Sequence, residues 1–209
     1  MDRLDATRAV AELAGDEPIV GGVGNSTFDL VPFDRATIFH MWNSMGMASS
    51  IGLGVALARP DRRVVVLDGD GALLMNLGSL ATERMAGVTN LVHVVWDNGG
   101  WEITGGQPAG TTFGVDLEAV ARGCGFERAA TVADLDHFRD VFCQAMADDR
   151  AWLIVGRVAA GDSPHRPSKN LVLLRDRFMA ALAGSAAAGP LEARAGAGDE
   201  PAHDRPEDD

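Results

Sequence analysis

Short apolar runs alternate with longer amphipathic stretches along most of the chain. The apolar runs include VVVL and LVHVVW, which contain too few polar residues for strands with one wet face. Such runs are typical of parallel strands that are covered on both sides. We therefore predict six strands, over residues 18–23, 37–40, 63–67, 90–96, 126–130 and 152–158.

The stretches between these runs have apolar residues at helical spacing. Asp116 and Asp134 each stand where a side chain can accept a hydrogen bond from a free backbone amide of the first helical turn. The predicted helices cover residues 4–14, 45–58, 73–85, 116–124, 134–147 and 171–182. This alternation predicts an α/β fold with a doubly wound, mostly parallel six-stranded sheet and helices on both faces, all in a single domain.

The end of the chain departs from this pattern. From Gly184 onward there are seven acidic residues, two arginines and almost no large apolar side chain. Such a segment buries too little apolar surface to offset the entropy lost on ordering. We therefore predict a folded domain over residues 1–183 and a disordered acidic tail over residues 184–209.

The net charge of −12 limits the partners, because an acidic protein repels nucleic acid and anionic membranes. A bound phosphate would therefore need local backbone amides or a metal. Cys124 and Cys143 have neither metal-ligand spacing nor a disulfide pattern. No apolar run is long enough to span a bilayer, and the start of the chain is charged. These features predict a soluble cytoplasmic protein.

Candidate chemistry lies in the loops after the strands, where doubly wound sheets bind ligands. Gly69-Asp70-Gly71 directly follows the VVVL strand. Glycine lets the backbone approach a ligand, but the Asp70 carboxylate would repel a phosphate unless a divalent cation lay between them. Asn98 follows the next strand, 28 positions after Asp70, and can supply a second oxygen ligand. The residues thus predict a magnesium site beside a phosphate.

Gly69-Asp70-Gly71 with Asp97-Asn98 resembles the motif of thiamine-diphosphate enzymes. The surrounding GDGALLMNLGSLAT, NLVHVVWDN and TGGQP are similar to the cofactor-binding half of the sulfopyruvate and phosphonopyruvate decarboxylases. The similarity runs from about Arg8 to about Val158. It implies thiamine diphosphate and Mg²⁺ as cofactors, with the metal held by Asp70, Asn98 and the carbonyl of Gly100.

The resemblance also implies which residues contact the cofactor. Met45 would bend it by apolar contact, and the carbonyl of Asn43 would accept a hydrogen bond from its aminopyrimidine. The implied cofactor-binding residues are Gly24, Asn25, Ser26, Asn43, Ser44, Met45, Gly69, Asp70, Gly71, Ala72, Asn98, Gly100 and Trp101. The implied catalytic residues are Met45, Glu102 and Thr104.

The resemblance further implies a partner. In such enzymes a glutamate that activates the aminopyrimidine comes from a second α/β domain, and this sequence contains no pattern for a second sheet. We therefore expect a pyrimidine-binding subunit of α type, in an α₂β₂ assembly. We also expect an exposed apolar face on the unpartnered chain, formed by Phe28, Trp42, Met45, Met47 and Trp101.

The function implied by the resemblance is decarboxylation of a small 2-oxo acid, a lyase reaction carried out by a hetero-oligomer. Two alternatives stay open: a subunit of a carboligase of acetolactate or acyloin type, and a non-catalytic scaffold subunit that binds the cofactor. Phe28 stands where the resembling decarboxylases carry arginine in an S-R-E-L stretch. We therefore expect the substrate to depend less on a sulfonate or phosphonate group than theirs do.

Overall fold

Six parallel strands form the central sheet of the computed structural model, close to the predicted positions. They are β1 (Ile19–Gly21), β2 (Ile38–His40), β3 (Val64–Gly69), β4 (Leu91–Asp97), β7 (Arg128–Val132) and β8 (Trp152–Arg157). Their order is β2-β1-β3-β4-β8-β7, and every neighbouring pair is parallel. A separate antiparallel pair, β5 (Gly100–Trp101) and β6 (Gln107–Pro108), follows β4. The predicted fold class is confirmed.

Helices cover both faces of the sheet. They are α1 (Arg3–Leu13), α2 (Asn25–Phe28), α3 (Ala48–Ala58), α4 (Asp70–Met75), α5 (Gly78–Met85), α6 (Leu117–Gly123), α7 (Leu135–Ala147) and α8 (Leu171–Leu182). The predicted N-caps are confirmed, because Asp116 accepts a hydrogen bond from the amide of Ala119 and Asp134 from that of His137.

The central strands are buried on both sides, as their unbroken apolar sequences predict. On one face, α1 and α7 pack on the sheet, with Val10 and Phe138 among the buried contacts. On the other face, α3 and α8 cover β1 and β3, while α5 and α6 cover β4 and β8. The two layers hold the strand ends rigidly, which fixes the loops that follow them.

Two helix predictions had wrong bounds. The predicted helix over residues 45–58 begins only at Ala48, because Ser44 and Gly46 have positive φ angles. The predicted helix over residues 73–85 is two helices, α4 and α5, since the chain leaves the helical conformation at Asn76. The side-chain amide of Asn76 donates a hydrogen bond to the carbonyl of Gly46 at 2.9 Å. The residue at the break thus connects α4 to the loop after β2.

A charged cluster is buried between the sheet and α5. Glu83 Oε1 lies 3.3 Å from His93 Nδ1, and both side chains are almost fully buried, as is that of Asp68. Burial acts to lower the pKa of His93, but the Glu83 and Asp68 carboxylates outweigh it and the pKa is raised. His93 is thus a fully buried core residue whose ring faces the Glu83 carboxylate.

The structure describes residues 1–184, so the predicted acidic tail lies outside the described residues apart from Gly184. Within residues 1–184, no helix is both long enough and apolar enough to cross a membrane.

Candidate functional site

The carboxyl ends of β1, β3 and β4 meet at the point where the strand order reverses. β1 lies between β2 and β3, so the chain first runs to one side of β1 and then crosses to the other. Doubly wound sheets form a crevice for ligands at such a point. The loops that enter this crevice contain most of the residues singled out by the sequence.

Asp70 joins two of these loops. It follows β3 directly, and its side chain is buried. Its Oδ2 accepts hydrogen bonds from the amide of Gly99 at 3.1 Å and from Thr111 Oγ1 at 2.9 Å. The carboxylate therefore lies against the loop that carries Asn98 and Gly100.

Asn98 and Gly100 form a tight turn beside Asp70. Asn98 Oδ1 accepts a hydrogen bond from the Gly100 amide at 3.0 Å, and Gly99 between them has φ of 72°. Within residues 1–184, no three His, Cys, Asp or Glu side chains converge as a metal cluster. A cation at this turn would thus depend on Asp70 together with neutral amide and carbonyl oxygens, a donor set that suits Mg²⁺.

The surroundings of the Asp70 carboxylate favour a bound cation. Burial is the main cause that raises the pKa of Asp70 to about 6; hydrogen bonds from Gly71 and Thr111 oppose the rise, and the neighbouring Asp97 adds to it. A divalent cation would favour the ionised form and reverse the shift. The environment of Asp70 therefore fits a metal ligand.

Two predicted diphosphate contacts lie where a side chain would not fit. A Cβ on Gly71 would come within 3.0 Å of the Trp101 ring. A Cβ on Gly24, where φ is 97°, would come within 2.6 Å of Ile103 Cδ1. The backbone at both glycines is thus in close contact with side chains of the segment that follows β4.

One pocket brings most of the predicted residues together. It is lined by Arg3, Val23, Asn25, Ser26, Met45, Gly69, Asp70, Gly71, Ala72, Trp96, Asn98, Gly100, Trp101, Glu102, Ile103 and Thr104. Twelve of the fifteen predicted site residues are among them. Gly24 is not a lining residue but lies beneath Ile103. Asn43 and Ser44 line a neighbouring cavity instead, between the loop after β2 and α8.

Arg3 was missed by the sequence interpretation. It enters the pocket wall from the start of α1, where its Nε donates to Asp29 Oδ2 at 2.8 Å and its Nη1 to Glu102 Oε2 at 3.1 Å. The same Glu102 oxygen accepts from Asn25 Nδ2 at 2.8 Å. Glu102, predicted to be catalytic, is thus held in an ion pair. A lone arginine in a helical stretch gives no signal of this contact.

A segment between β8 and α8 crosses the same edge of the sheet. We call residues 158–170 the strap. Near its start, Gly161 hydrogen bonds with both Glu102 and Arg3. Further along, the amide of Ser163 donates to Asn25 Oδ1 at 3.1 Å, and Trp42 Nε1 donates to the carbonyl of Ser168 at 2.8 Å. The strap was predicted only as a connection.

The expected apolar face is less exposed than predicted. Phe28 is only 6% exposed, since its ring lies 5.5 Å from that of Trp42 and below the strap. Trp42, Met45 and Trp101 are half-buried, and Met47, at 42%, is the member that is exposed. The prediction of five exposed side chains was therefore wrong, because the strap covers part of this face.

The doubly wound sheet, the switch-point pocket and the buried acid in a glycine turn define a cofactor-binding α/β domain of an enzyme. Residues 22–155 match the family described as "Thiamine pyrophosphate enzyme, C-terminal TPP binding domain". The chain belongs to this family of thiamine pyrophosphate (thiamine diphosphate) enzymes.

Two relatives place the chain within the family. It is 42% identical to a phosphonopyruvate decarboxylase of Streptomyces viridochromogenes, over 83% of this chain and 44% of that protein. It is 36% identical to the sulfopyruvate decarboxylase subunit beta of Methanocaldococcus jannaschii, over 86% of this chain and 96% of that subunit. The chain thus spans under half of the first relative and nearly all of the second.

The fold also occurs in solved structures. A thiamine diphosphate-dependent 4-hydroxybenzoylformate decarboxylase of Rhodococcus jostii superposes with a TM-score of 0.61 at 23% identity. The match covers 78% of this chain and 33% of that protein. At this identity the likeness supports the fold alone.

Proposed function

We propose that this chain is the diphosphate- and Mg²⁺-binding subunit of a two-subunit thiamine-diphosphate-dependent 2-oxo acid decarboxylase. The observation that carries the proposal is the buried Asp70 carboxylate, which is hydrogen bonded across the pocket to Gly99, in the turn that holds Asn98 and Gly100. The extensive identity to a sulfopyruvate decarboxylase subunit beta supports the same function.

The residues of the pocket have distinct proposed tasks. Asp70, Asn98 Oδ1 and the Gly100 carbonyl would hold the metal. The diphosphate would contact backbone and side chains from the loops after β1 and β3, namely Gly24, Asn25, Ser26, Gly69, Gly71 and Ala72. Asn43, Ser44, Met45 and Trp101 would contact the organic part of the cofactor, with Glu102 and Thr104 on the substrate side.

When bound, thiamine diphosphate supplies an electron sink for the electron pair released as CO₂ leaves. The chain's own residues have simpler roles. Asp70 would offset the positive charge of the metal, and the metal would offset the negative charge of the diphosphate. Met45 and Trp101 line the pocket with apolar surface, which keeps water from the reacting carbon and strengthens the electrostatic contacts there.

The activating glutamate would come from a pyrimidine-binding partner subunit of α type. The described sheet is fully accounted for by one domain, and the chain matches a relative named as a beta subunit over nearly its whole length. An α₂β₂ assembly is the simplest arrangement that pairs each pocket with one partner. Decarboxylation is favoured over the carboligase and scaffold alternatives because the similar proteins are named as decarboxylases.

Loss of a metal ligand tests the proposal. Asp70→Ala and Asn98→Ala should each weaken thiamine diphosphate binding by about tenfold or more in the presence of Mg²⁺, because the diphosphate charge is then poorly offset. Calorimetric titration of the full chain measures this. Asp149→Ala is the matched control, since its side chain is 97% exposed. Unchanged affinity in both pocket variants would overturn the assignment.

A further inference from the structure

Arg166 of the strap lies on the ring of Phe28, the residue that stands where the resembling decarboxylases carry arginine. Arg166 Cζ lies 4.4 Å from the centre of the Phe28 ring. This distance is within the range of an attractive cation–π contact. Arg166, from a different part of the chain, therefore brings a positive charge next to the side chain at position 28.

The guanidinium is held in position but not neutralised. Arg166 Nη1 donates to the carbonyls of Ser163 at 2.6 Å and of His165 at 2.7 Å. Ten of the fifteen arginines in residues 1–184 have a carboxylate within 4.0 Å, whereas Arg166 is one of five that have none among the described residues. In so acidic a protein, an arginine without a carboxylate partner is available to bind an anion.

Arg166 lies next to the pocket wall. The Ser163 carbonyl accepts a hydrogen bond from Arg166, and the Ser163 amide donates one to Asn25 Oδ1. Asn25 in turn lines the pocket. Phe28, which supports the guanidinium, lies three residues after Asn25 on α2, a separation that leaves Cβ atoms about 5–6 Å apart. Phe28 is thus one helical turn from a residue that lines the pocket, and the positive charge of Arg166 lies on its ring.

A second cation follows on the strap. Lys169 is the one lysine of the sequence, and its Nζ lies 6.0 Å from the Trp42 ring, which in turn contacts Phe28. The strap is fastened at both ends, by Glu102 and Arg3 at Gly161 and by Trp42 at Ser168. Its basic residues therefore lie on a segment that is held at both ends, beside the loops after β1 and β2.

We propose that Arg166, assisted by Lys169, binds a second anionic group of the substrate and so selects 2-oxo acids that carry a sulfonate or phosphonate. This inference rests on the proposed function and deepens it. It also reverses the expectation drawn from Phe28, since the aromatic ring serves as the platform for an arginine rather than as its replacement. A guanidinium suits such a group because its planar fork can donate two parallel hydrogen bonds to one oxyanion.

The test uses substrate-like anions that cannot react. Calorimetry of the full chain with thiamine diphosphate and Mg²⁺ compares 3-sulfopropionate, 3-phosphonopropionate and succinate with propionate, which lacks the second anionic group. The wild type should bind 3-sulfopropionate or 3-phosphonopropionate about 10 to 100 times more tightly than propionate, the effect of charge-assisted hydrogen bonds. Whichever of the two binds more tightly identifies the group.

Arg166→Gln should remove this preference, Arg166→Lys should retain part of it, and Lys169→Gln should reduce it. Arg175→Gln is the control, because Arg175 is exposed on α8 and pairs with Asp176. Thiamine diphosphate affinity should change less than twofold in all four variants, which also shows that they are folded. The proposal is overturned if the wild type does not discriminate, or if Arg166→Gln discriminates equally well.

Failure of the proposed function gives a different result. If the wild type fails to bind thiamine diphosphate, the decarboxylase assignment is wrong, yet the comparison of 3-sulfopropionate with propionate still reports on Arg166. If the cofactor binds but Arg166→Gln retains the preference, the role of Arg166 alone is wrong.

Discussion

His40 ends β2 beside the candidate site, and its ring is held by one neighbour. Its Nδ1 lies 2.9 Å from Thr27 Oγ1. Burial lowers the pKa of His40 to about 4, and an interaction with the Thr27 backbone opposes only part of that shift. His40 is therefore neutral at pH 7 and holds the loop after β1 against the loop after β2.

This shift predicts how stability depends on pH. The pKa of His40 is lower in the folded state than its ordinary value of 6.5, so the unfolded chain takes up a proton first as the pH falls. The contribution of His40 should be constant above about pH 6.5 and should be lost progressively down to about pH 4, by up to roughly 3 kcal/mol. Urea unfolding at several pH values measures it.

His40→Gln should flatten this part of the pH profile, because glutamine does not titrate in the range. His137→Gln, at an exposed position on α7, should leave the wild-type profile unchanged. Equal slopes for the wild type and His40→Gln between pH 6.5 and 4 would contradict the prediction.

Single residues were predictable where a local motif carries the chemistry. Asp70 and Asn98 follow buried strands and stand in glycine-rich turns, so their positions could be inferred without coordinates. Arg3 could not, because its partners Asp29 and Glu102 are distant in sequence and meet it only after the sheet forms. Arg166 was missed for the same reason, since its contact with Phe28 joins the two ends of the domain.

At the scale of elements, one ionic network connects four segments. Arg3 of α1 pairs with Asp29 after α2 and with Glu102 after β5, and it also contacts Gly161 of the strap. Arg3 and Asp29 are almost fully buried, so the two charges depend on each other. The network keeps the segment around Glu102 against the pocket.

Removing the cation should therefore be costly. Arg3→Leu would leave the buried Asp29 carboxylate without its partner, and we expect the free energy of unfolding to fall by about 3–5 kcal/mol. Arg8→Leu, on the same helix, removes an exposed pair with Asp5 and should cost less than about 1 kcal/mol. Chemical denaturation of both variants tests this, and equal losses would contradict the structural role of Arg3.

Strands and long helices were easier to predict than short elements. The six strands of the sheet carry unbroken apolar runs, and the N-caps at Asp116 and Asp134 are local signals. By contrast, α2 has four residues and β5 has two, too few for either periodicity to be visible. The break between α4 and α5 depends on the contact of Asn76 with Gly46, which lies outside the helix itself.

At the scale of the whole molecule, the topology places the pocket at one edge, where several apolar side chains reach solvent. Met47 is 42% exposed, Ile103 49% and Phe113 77%. All three lie on loops or short helices that follow the carboxyl ends of β2 and β4. An edge of this kind favours contact with another protein surface. The fold could be predicted from the sequence, but which apolar residues remain exposed depends on how the strap packs.

Catalytic activity of this chain should depend on its assembly with a partner subunit. Because the activating glutamate is proposed to come from a partner subunit, the purified chain should not decarboxylate a 2-oxo acid, even with saturating thiamine diphosphate and Mg²⁺. The exposed apolar side chains at its pocket edge should make the purified chain self-associate weakly. Adding the partner should restore turnover, most simply as α₂β₂.

A cofactor held by both chains stabilises their complex by linkage. Thiamine diphosphate should therefore strengthen the association of the two subunits, and Asp70→Ala should weaken that effect. Light scattering and a decarboxylase assay, each with and without partner and cofactor, measure these outcomes. Full turnover by the chain alone would mean that its own residues replace the glutamate, and the two-subunit site would then be wrong.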